Sequence, residues 1–527
     1  MLGIVATFAD YISVREDAVR LILSVLAGYP LAAVHRTFLF NKPAVIQHSY
    51  FASIGLLLYL FNCGLQIYHC LLSTFLVYLI VNFLPGTQLS ILLAHFCFLG
   101  HLLIGYWFAY LLFAKFHGKN KSLPPILGVL NPPPMTSLGQ RPFCIMTLRY
   151  IGLVMDVYDG QQAVAQQASN ATTNTGKKGG KDRRKHEDNI VTETAISDPP
   201  GLLEIAAFGL FFAGTLVGPQ FPLARFRAFV NGEFLDKSTA NVRQSSLMAS
   251  IQRFVAGVFY LVLHQWGTFW VPDDYLNSKE FLHLPFLWKV FWNTIWFRAV
   301  MYRYVLCWLL TEGATILSGI AYNGKDGNGD DRWDGVRDIH IIKFELGSDY
   351  QSVIDSFNCG TNNFAKNHLF KRFKWVGNKL ASHALTLFYL ALWHGYHIGY
   401  FMLFAHEFMC MAAQEQLYEF IEKGPPVVRK LLSFWWMRPL CWLFGRVAIN
   451  TSMAFAFLTF GLVKKEVWIV PLASMYFYGY VLYFVLWPAL FHFVLRPMIK
   501  KDGLMEEEVI IRPFSLFDSI ENLPLNN

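Results

Sequence analysis

Charge is scarce in this chain. Asp, Glu, Lys and Arg make up 15% of its 527 residues, against roughly 25% in ordinary soluble domains. With 54% of residues hydrophobic, the apolar surface cannot be hidden in one soluble core, so the composition excludes an ordinary soluble domain and calls for a bilayer. Paired cysteines are missing as well. Cys63, Cys70, Cys97, Cys144, Cys307, Cys359, Cys410 and Cys441 are scattered, form no CxxC pair and mostly sit in apolar runs. They read as reduced packing residues, and no metal centre is expected. No G-x-S-x-G elbow is present, which argues against a serine nucleophile of the hydrolase type. The start, MLGIVATFADYISVRED, has no basic region leading into a cleavable apolar core, so a removed signal peptide is not expected. No internal repeat is visible, which argues against an inverted-repeat transporter.

What is abundant is aromatic mass: 48 Phe, 24 Tyr and 15 Trp, rings that suit the two membrane interfaces. The net charge of +8 favours anionic lipid or a polyanionic ligand, but it is too small for so long a chain to indicate nucleic acid. A crossing helix needs about 20 apolar residues. Candidate runs lie at about 18–39, 47–61, 65–84, 88–115, 201–219, 249–270, 286–320 (one crossing or two), 382–412, 431–462 and 467–496. That predicts an all-α polytopic membrane protein with about 10 or 11 crossings. Polar interruptions such as His95 and His101 suit a bundle that encloses a cavity.

Residues 161–200 are nearly free of aromatic and branched apolar residues and read as a disordered linker. The Asn170-Ala171-Thr172 sequon falls inside this stretch and reads as incidental. The tail from 498 onward is polar. Lys500 and Lys501 at one end of the final apolar run are balanced by Lys464 and Lys465 at the other, so the charge rule leaves the topology open.

The chemistry concentrates in LTLFYLALWHGYHIGYFMLFAHEF, residues 385–408. His394 lies deep in this run, and on a continuous helix Ile398 and Phe401 would share its face, with His397 one turn away. A neutral imidazole there can take a proton from a hydroxyl. It can equally be a buried, hydrogen-bonded packing residue, and the residue alone does not choose between the two.

The surrounding words do more. Trp393-His394-Gly395, Gly399-Tyr400 and Phe404 read WHGxxxGYxxxF, and this resembles the signature of the lysophospholipid branch of the membrane-bound O-acyltransferases. Ser356-Phe357-Asn358-Cys359-Gly360-Thr361-Asn362, leading into LFKRFKWVGNK, resembles the family segment that carries a second catalytic residue, an asparagine. Asn358 precedes His394 by 36 residues, the separation expected of that branch. LRYIGLVMDVYDG (148–160), LLEIAAFGLFFAGTLVGPQF (202–221), MYRYVLCWLLTEGATILSGIAYNG (301–324) and Arg332-Trp333-Asp334 carry the likeness further, so that it runs from about 140 to 410. The tail lacks the lysine-rich retrieval signal that vertebrate relatives would lead one to expect.

The resemblance implies a bundle enclosing a reaction chamber. It divides the chain into N-terminal transmembrane helices and loops (1–160), the linker (161–200), a catalytic core (201–497) and the polar tail (498–527). It implies an endoplasmic reticulum membrane enzyme that moves a fatty acyl group, expected to be polyunsaturated, from acyl-CoA to the sn-2 hydroxyl of a lysophospholipid. The acceptor would be lysophosphatidylcholine, with the ethanolamine and serine forms also open. Acyl-CoA would be a co-substrate, with no permanently bound cofactor. His394 would be the general base. Asn358, which does not titrate, would hydrogen-bond the reacting oxygen or the thioester carbonyl, or else simply tie helix to helix.

Around this pair, Trp333, Asp334, Trp393, His397, Tyr400 and Glu407 are candidate substrate contacts. Asp334 reads equally as a loop cap, and Glu407 either orients a choline headgroup or salt-bridges a neighbouring helix. His383 reads as interfacial. Among the basic residues Lys366 to Lys379, Lys371, Arg372 and Lys374 are candidate contacts for the CoA phosphates, or a flank facing anionic lipid. A relative acting on a sterol, diacylglycerol or peptide acceptor, or a polytopic transporter, would share the composition. The transporter would not share the spacing of Asn358 and His394.

Overall fold

A bilayer offers backbone amides no water, and a helix satisfies them within its own segment. The computed structural model, which describes residues 2–11, 14–107, 137–174 and 194–499, follows that rule. Its main helices are α1 (Glu16–Val34), α2 (Ala44–Cys63), α3 (Ile67–Phe83), α4 (Gln88–Ala94), α5 (Ser137–Asn174), α6 (Leu202–Gly209), α7 (Ser245–Trp270), α8 (Phe286–Ser318), α9 (Lys379–His394), α10 (Ile398–Lys423), α11 (Met437–Gly461) and α12 (Lys465–Ser474). Among the described residues β pairing is limited to two isolated bridges.

Among the described residues, six helical stretches are long and apolar enough to cross a membrane: Glu16–Leu39, Ala44–Phe83, Gln88–Trp107, Ser245–Asn277, Met437–Gly461 and Tyr478–Met498. They expose large apolar side chains such as Phe83, Phe96, Phe269 and Phe493, as lipid-facing helices do. The protein is an all-α polytopic membrane protein.

The expected 10 or 11 crossings were counted from composition, and geometry regroups several of them. The runs 47–61 and 65–84 correspond to α2 and α3, separated at Gly64 (φ +57°) within the apolar stretch Ala44–Phe83. The run 201–219 holds only the eight-residue α6 before the chain turns through Gly218-Pro219. The run 286–320 is one helix, α8, but Lys289, Arg298, Arg303 and Glu312 interrupt its apolar character. The 161–200 stretch is also not linker throughout. α5 continues to Asn174, and Ile196 is buried, with its backbone N–H bonded to the Asp156 carbonyl at 2.9 Å. Residues 175–193 of that expected linker, 108–115 of the fourth run and 500–527 of the tail lie outside the described residues.

The chain divides into two compact units. The first comprises residues 1–257, 307–338 and 363–377, the second 258–306, 339–362 and 378–527. In the first, the rings of Phe51, Phe208, Phe211 and Phe226 pack together. Arg149, only 4% exposed, anchors the turn after α6. Its guanidinium donates to the carbonyls of Phe208 (3.2 Å), Gly214 (2.9 Å) and Pro219 (3.1 Å) and to Gln220 Oε1 (3.2 Å). A buried arginine is tolerated when its donors are used in this way, and this one joins the LRYIG and GPQ words of the sequence.

The second unit holds α9 to α12, and α9 and α10 are two halves of one apolar run. Gly395 has φ +123°, a conformation open to glycine and avoided by residues with a Cβ. The helix stops there, and His394 becomes its last residue. Four residues on, a Cβ on Gly399 would lie 2.1 Å from the Thr459 carbonyl oxygen. The Thr459 hydroxyl bonds the Gly399 carbonyl at 2.8 Å, so the start of α10 lies backbone to backbone on α11. A valine at 399 should force the helices apart at a cost of roughly 2 kcal/mol. Thermal unfolding of Gly399→Val in detergent should show a clearly lowered midpoint, and an unchanged midpoint would refute the close-contact role.

Candidate active site

Polar groups in an apolar helix need a partner or a function, and His394 has no hydrogen-bond partner among the described residues. Its ring lies among aromatic neighbours: Phe460 of α11 at 4.9 Å between centroids, Tyr400 and Phe404 of α10 each at 5.7 Å, and Trp393 at 4.5 Å. Tyr400 in turn packs on Phe460 at 5.0 Å and on His397 at 5.7 Å. This is an apolar cradle around one imidazole whose nitrogens are left for an incoming group.

The break at Gly395 corrects the sequence reading of this face. Ile398 and Phe401 were expected beside His394 on a continuous helix. The turn instead brings Tyr400 and Phe404 onto it, one turn apart on α10. Glu407 follows Phe404 by another turn on the same helix. It forms no ion pair among the described residues, so the expected salt bridge to a neighbouring helix is absent. Trp393 is buried, and His397 is the residue that precedes α10.

Asn358 belongs to the same unit and is placed by its backbone. It has φ +54°, in the left-handed region that asparagine tolerates better than other residues with a Cβ. Its carbonyl accepts from the Asn362 N–H at 3.0 Å. On its upstream side the His340 N–H bonds the Ser356 carbonyl at 2.9 Å, and Ile339 pairs with Phe357. The Asn362 amide fastens the turn through the carbonyls of Ile354 (2.6 Å) and Phe357 (2.9 Å). The Phe357 ring stacks on Phe344 at 5.3 Å. The side-chain amide of Asn358 makes no hydrogen bond among the described residues, and none to His394. Asn362 is thus a structural residue that sequence reasoning did not single out, although its spacing from Asn358 is the i, i+4 of a helical turn.

The remaining candidates lie in the first unit. The Trp333 indole N–H donates to Ser245 Oγ at 3.3 Å, and its ring packs on Tyr322 at 5.6 Å. Asp334 accepts from Arg332 at 2.7 Å and from Asn323 at 2.9 Å. Burial alone would raise its carboxyl pKa, but these two hydrogen bonds and the nearby Arg337 hold it below the usual carboxylate range. Those contacts fit the loop-cap alternative. Arg372 donates from one Nη to the buried Asp159 carboxylate at 2.5 Å. Lys371 and Lys374 form no ion pair among the described residues. Among the described residues no three His, Cys, Asp or Glu side chains are grouped to hold a metal ion.

An unpaired imidazole and an unpaired amide in one unit of a membrane protein can transfer a proton and polarise an oxygen, with no protein nucleophile. Comparison with known proteins points the same way. The description "MBOAT, membrane-bound O-acyltransferase family" matches residues 136–454, a stretch that includes Asn358 and His394 and begins well before residue 201. Lysophospholipid acyltransferase 5 of Caenorhabditis elegans is 52% identical over 498 residues, 94% of this chain and 96% of its own. The proteins of the same name from Drosophila melanogaster and Homo sapiens are 32% and 31% identical, over 93% and 90% of this chain and 90% and 88% of theirs. The chain belongs to the membrane-bound O-acyltransferase family.

Proposed function

We propose that this protein is a lysophospholipid acyltransferase of the endoplasmic reticulum membrane, moving a fatty acyl group from acyl-CoA to the free sn-2 hydroxyl of a lysophospholipid. The observation that carries the reading is the unpartnered His394 at the end of α9, set in aromatic rings and inside the family's WHGxxxGY word. Full-length likeness to relatives named for this activity supports the acceptor class. The choice of acyl-CoA as donor and of a polyunsaturated chain rests on the family resemblance.

In this mechanism the neutral imidazole of His394 takes the acceptor hydroxyl proton as the oxygen attacks the thioester carbonyl. The C–S bond then breaks and the proton passes to the departing CoA thiolate, so the ester and free CoA form together. Asn358 donates its amide N–H to the oxygen that gains charge, a contribution that exists only while charge develops and so lowers the barrier. Water exclusion by Phe404, Tyr400 and Phe460 favours the acceptor hydroxyl over hydrolysis.

Membranes carrying His394→Ala should lose acyl transfer by roughly a hundred- to ten-thousandfold while protein level stays normal. Asn358→Gly removes the amide without straining the left-handed backbone and should lower the rate with similar protein yield. Activity near wild type in the His394 variant, followed by mass of the phospholipid product, would sink the mechanism.

Glu407 supplies a carboxylate without a protein counter-ion one turn from Phe404, and a cationic headgroup is its natural partner. Glu407→Gln should lower kcat/KM for lysophosphatidylcholine at least tenfold relative to lysophosphatidylglycerol, which has no cation. An unchanged ratio between the two acceptors would exclude a headgroup role.

A further inference from the structure

In the second unit, helix α8 carries a set of polar groups that neither the family words nor the mechanism uses. Lys289 stands near its start and is 8% exposed, and Asn293, one turn later, is 0% exposed. Among the described residues neither Nδ2 nor Oδ1 of Asn293 has a hydrogen-bond partner. Lys289 Nζ donates to one group, the carbonyl of Ser474 at 3.1 Å, and meets no carboxylate among the described residues. Ser474 is the last residue of α12, and on that same helix Trp468 is buried with its indole N–H unpartnered.

A lysine that caps the carbonyl end of α12 has a structural reason to be there. That reason does not extend to Asn293. A fully buried amide with both ends unsatisfied costs free energy without return, unless something absent from the protein chain completes it. A buried ammonium with two protons to spare and an amide N–H are both donors, and donors of this kind select an anion rich in acceptor oxygens. The Asp273 carboxylate, which lies before α8 in the chain, is occupied by the Trp296 indole N–H at 2.8 Å.

The place of these residues relates them to His394 through packed rings. Trp296 and Phe297 of α8 lie 6.0 and 5.4 Å from Phe457, which lies 5.4 Å from Phe460, the ring against His394.

We propose that Lys289 and Asn293 bind the phosphate of a substrate phosphate ester. This rests on the acyl-transfer reading in one respect: that reading supplies two such molecules, the lysophospholipid with its phosphodiester and CoA with its diphosphate. Both offer the same chemistry to the site.

Thermal unfolding of the purified full-length protein in detergent separates the sources, since a ligand that binds only the folded state raises the midpoint. The probes are coenzyme A, lysophosphatidylcholine and, as a phosphate-free control, monoacylglycerol of the same chain. Wild type should be stabilised by the phosphate esters, and the one whose protection Asn293→Leu loses names the source. Asn293→Leu should be at least as stable as wild type without ligand, because it replaces an unsatisfied amide by an isosteric apolar group, yet should bind that ligand at least tenfold more weakly. Lys289→Arg keeps the charge and should retain most of the effect. Equal protection of Asn293→Leu and wild type, or no protection of wild type by either phosphate ester, overturns the proposal. Because binding is read without turnover, a protein that fails to transfer acyl groups can still pass this test, and one that transfers them can still fail it.

Discussion

A single backbone conformation at Gly395 decides where the imidazole goes. With φ at +123° the helix cannot continue, so one long apolar run becomes α9 and α10, and His394 is presented at a helix end where its nitrogens are not surrounded by further turns. Gly399 then lets α10 start in backbone contact with α11, which brings Phe460 against the imidazole. The two glycines of the WHGxxxGY word thus have separate physical duties, one torsional and one steric. Remove either and the rings that exclude water from His394 lose their seat.

The bilayer sets the second constraint. Polar groups inside it must be satisfied or put to use, and the structure shows both outcomes. Arg149 spends its guanidinium on four carbonyls and a glutamine, and Arg372 pairs with Asp159. His394, Asn358 and Glu407 are left open, as are the amide of Asn293 and two protons of Lys289. The engaged groups hold the fold. The open ones named here all lie in the second unit, and the proposed mechanism and phosphate binding use them there.

Much of this was legible in the sequence. Composition and run length point to an all-α polytopic membrane protein, and the family words single out His394 and Asn358 as candidates. The misreadings share a physical origin. Hydropathy counts apolar residues but does not see a glycine torsion, so residues 382–412 read as one helix with Ile398 and Phe401 beside His394. Nor does it see an arginine reaching back to carbonyls, so 201–219 read as a crossing rather than a short helix and a pinned turn. Polar composition suggested a linker from 161, yet α5 runs on to Asn174 because no proline or glycine stops it. The ion pair of Arg372 with Asp159 is not visible in the sequence because the two are 213 positions apart. The orphan amide of Asn293 is invisible in any linear pattern, since its interest lies in what does not surround it.

The central claim is that the acceptor hydroxyl attacks acyl-CoA directly, with His394 moving the proton and no acyl group passing through the protein. Mass spectrometry of the purified enzyme tests it. Given acyl-CoA and lysophosphatidylcholine, the protein should release phospholipid and free CoA in equal amounts, and given acyl-CoA alone its intact mass should stay unchanged. An acylated protein that accumulates with acyl-CoA and is discharged by adding the lysophospholipid would contradict the account.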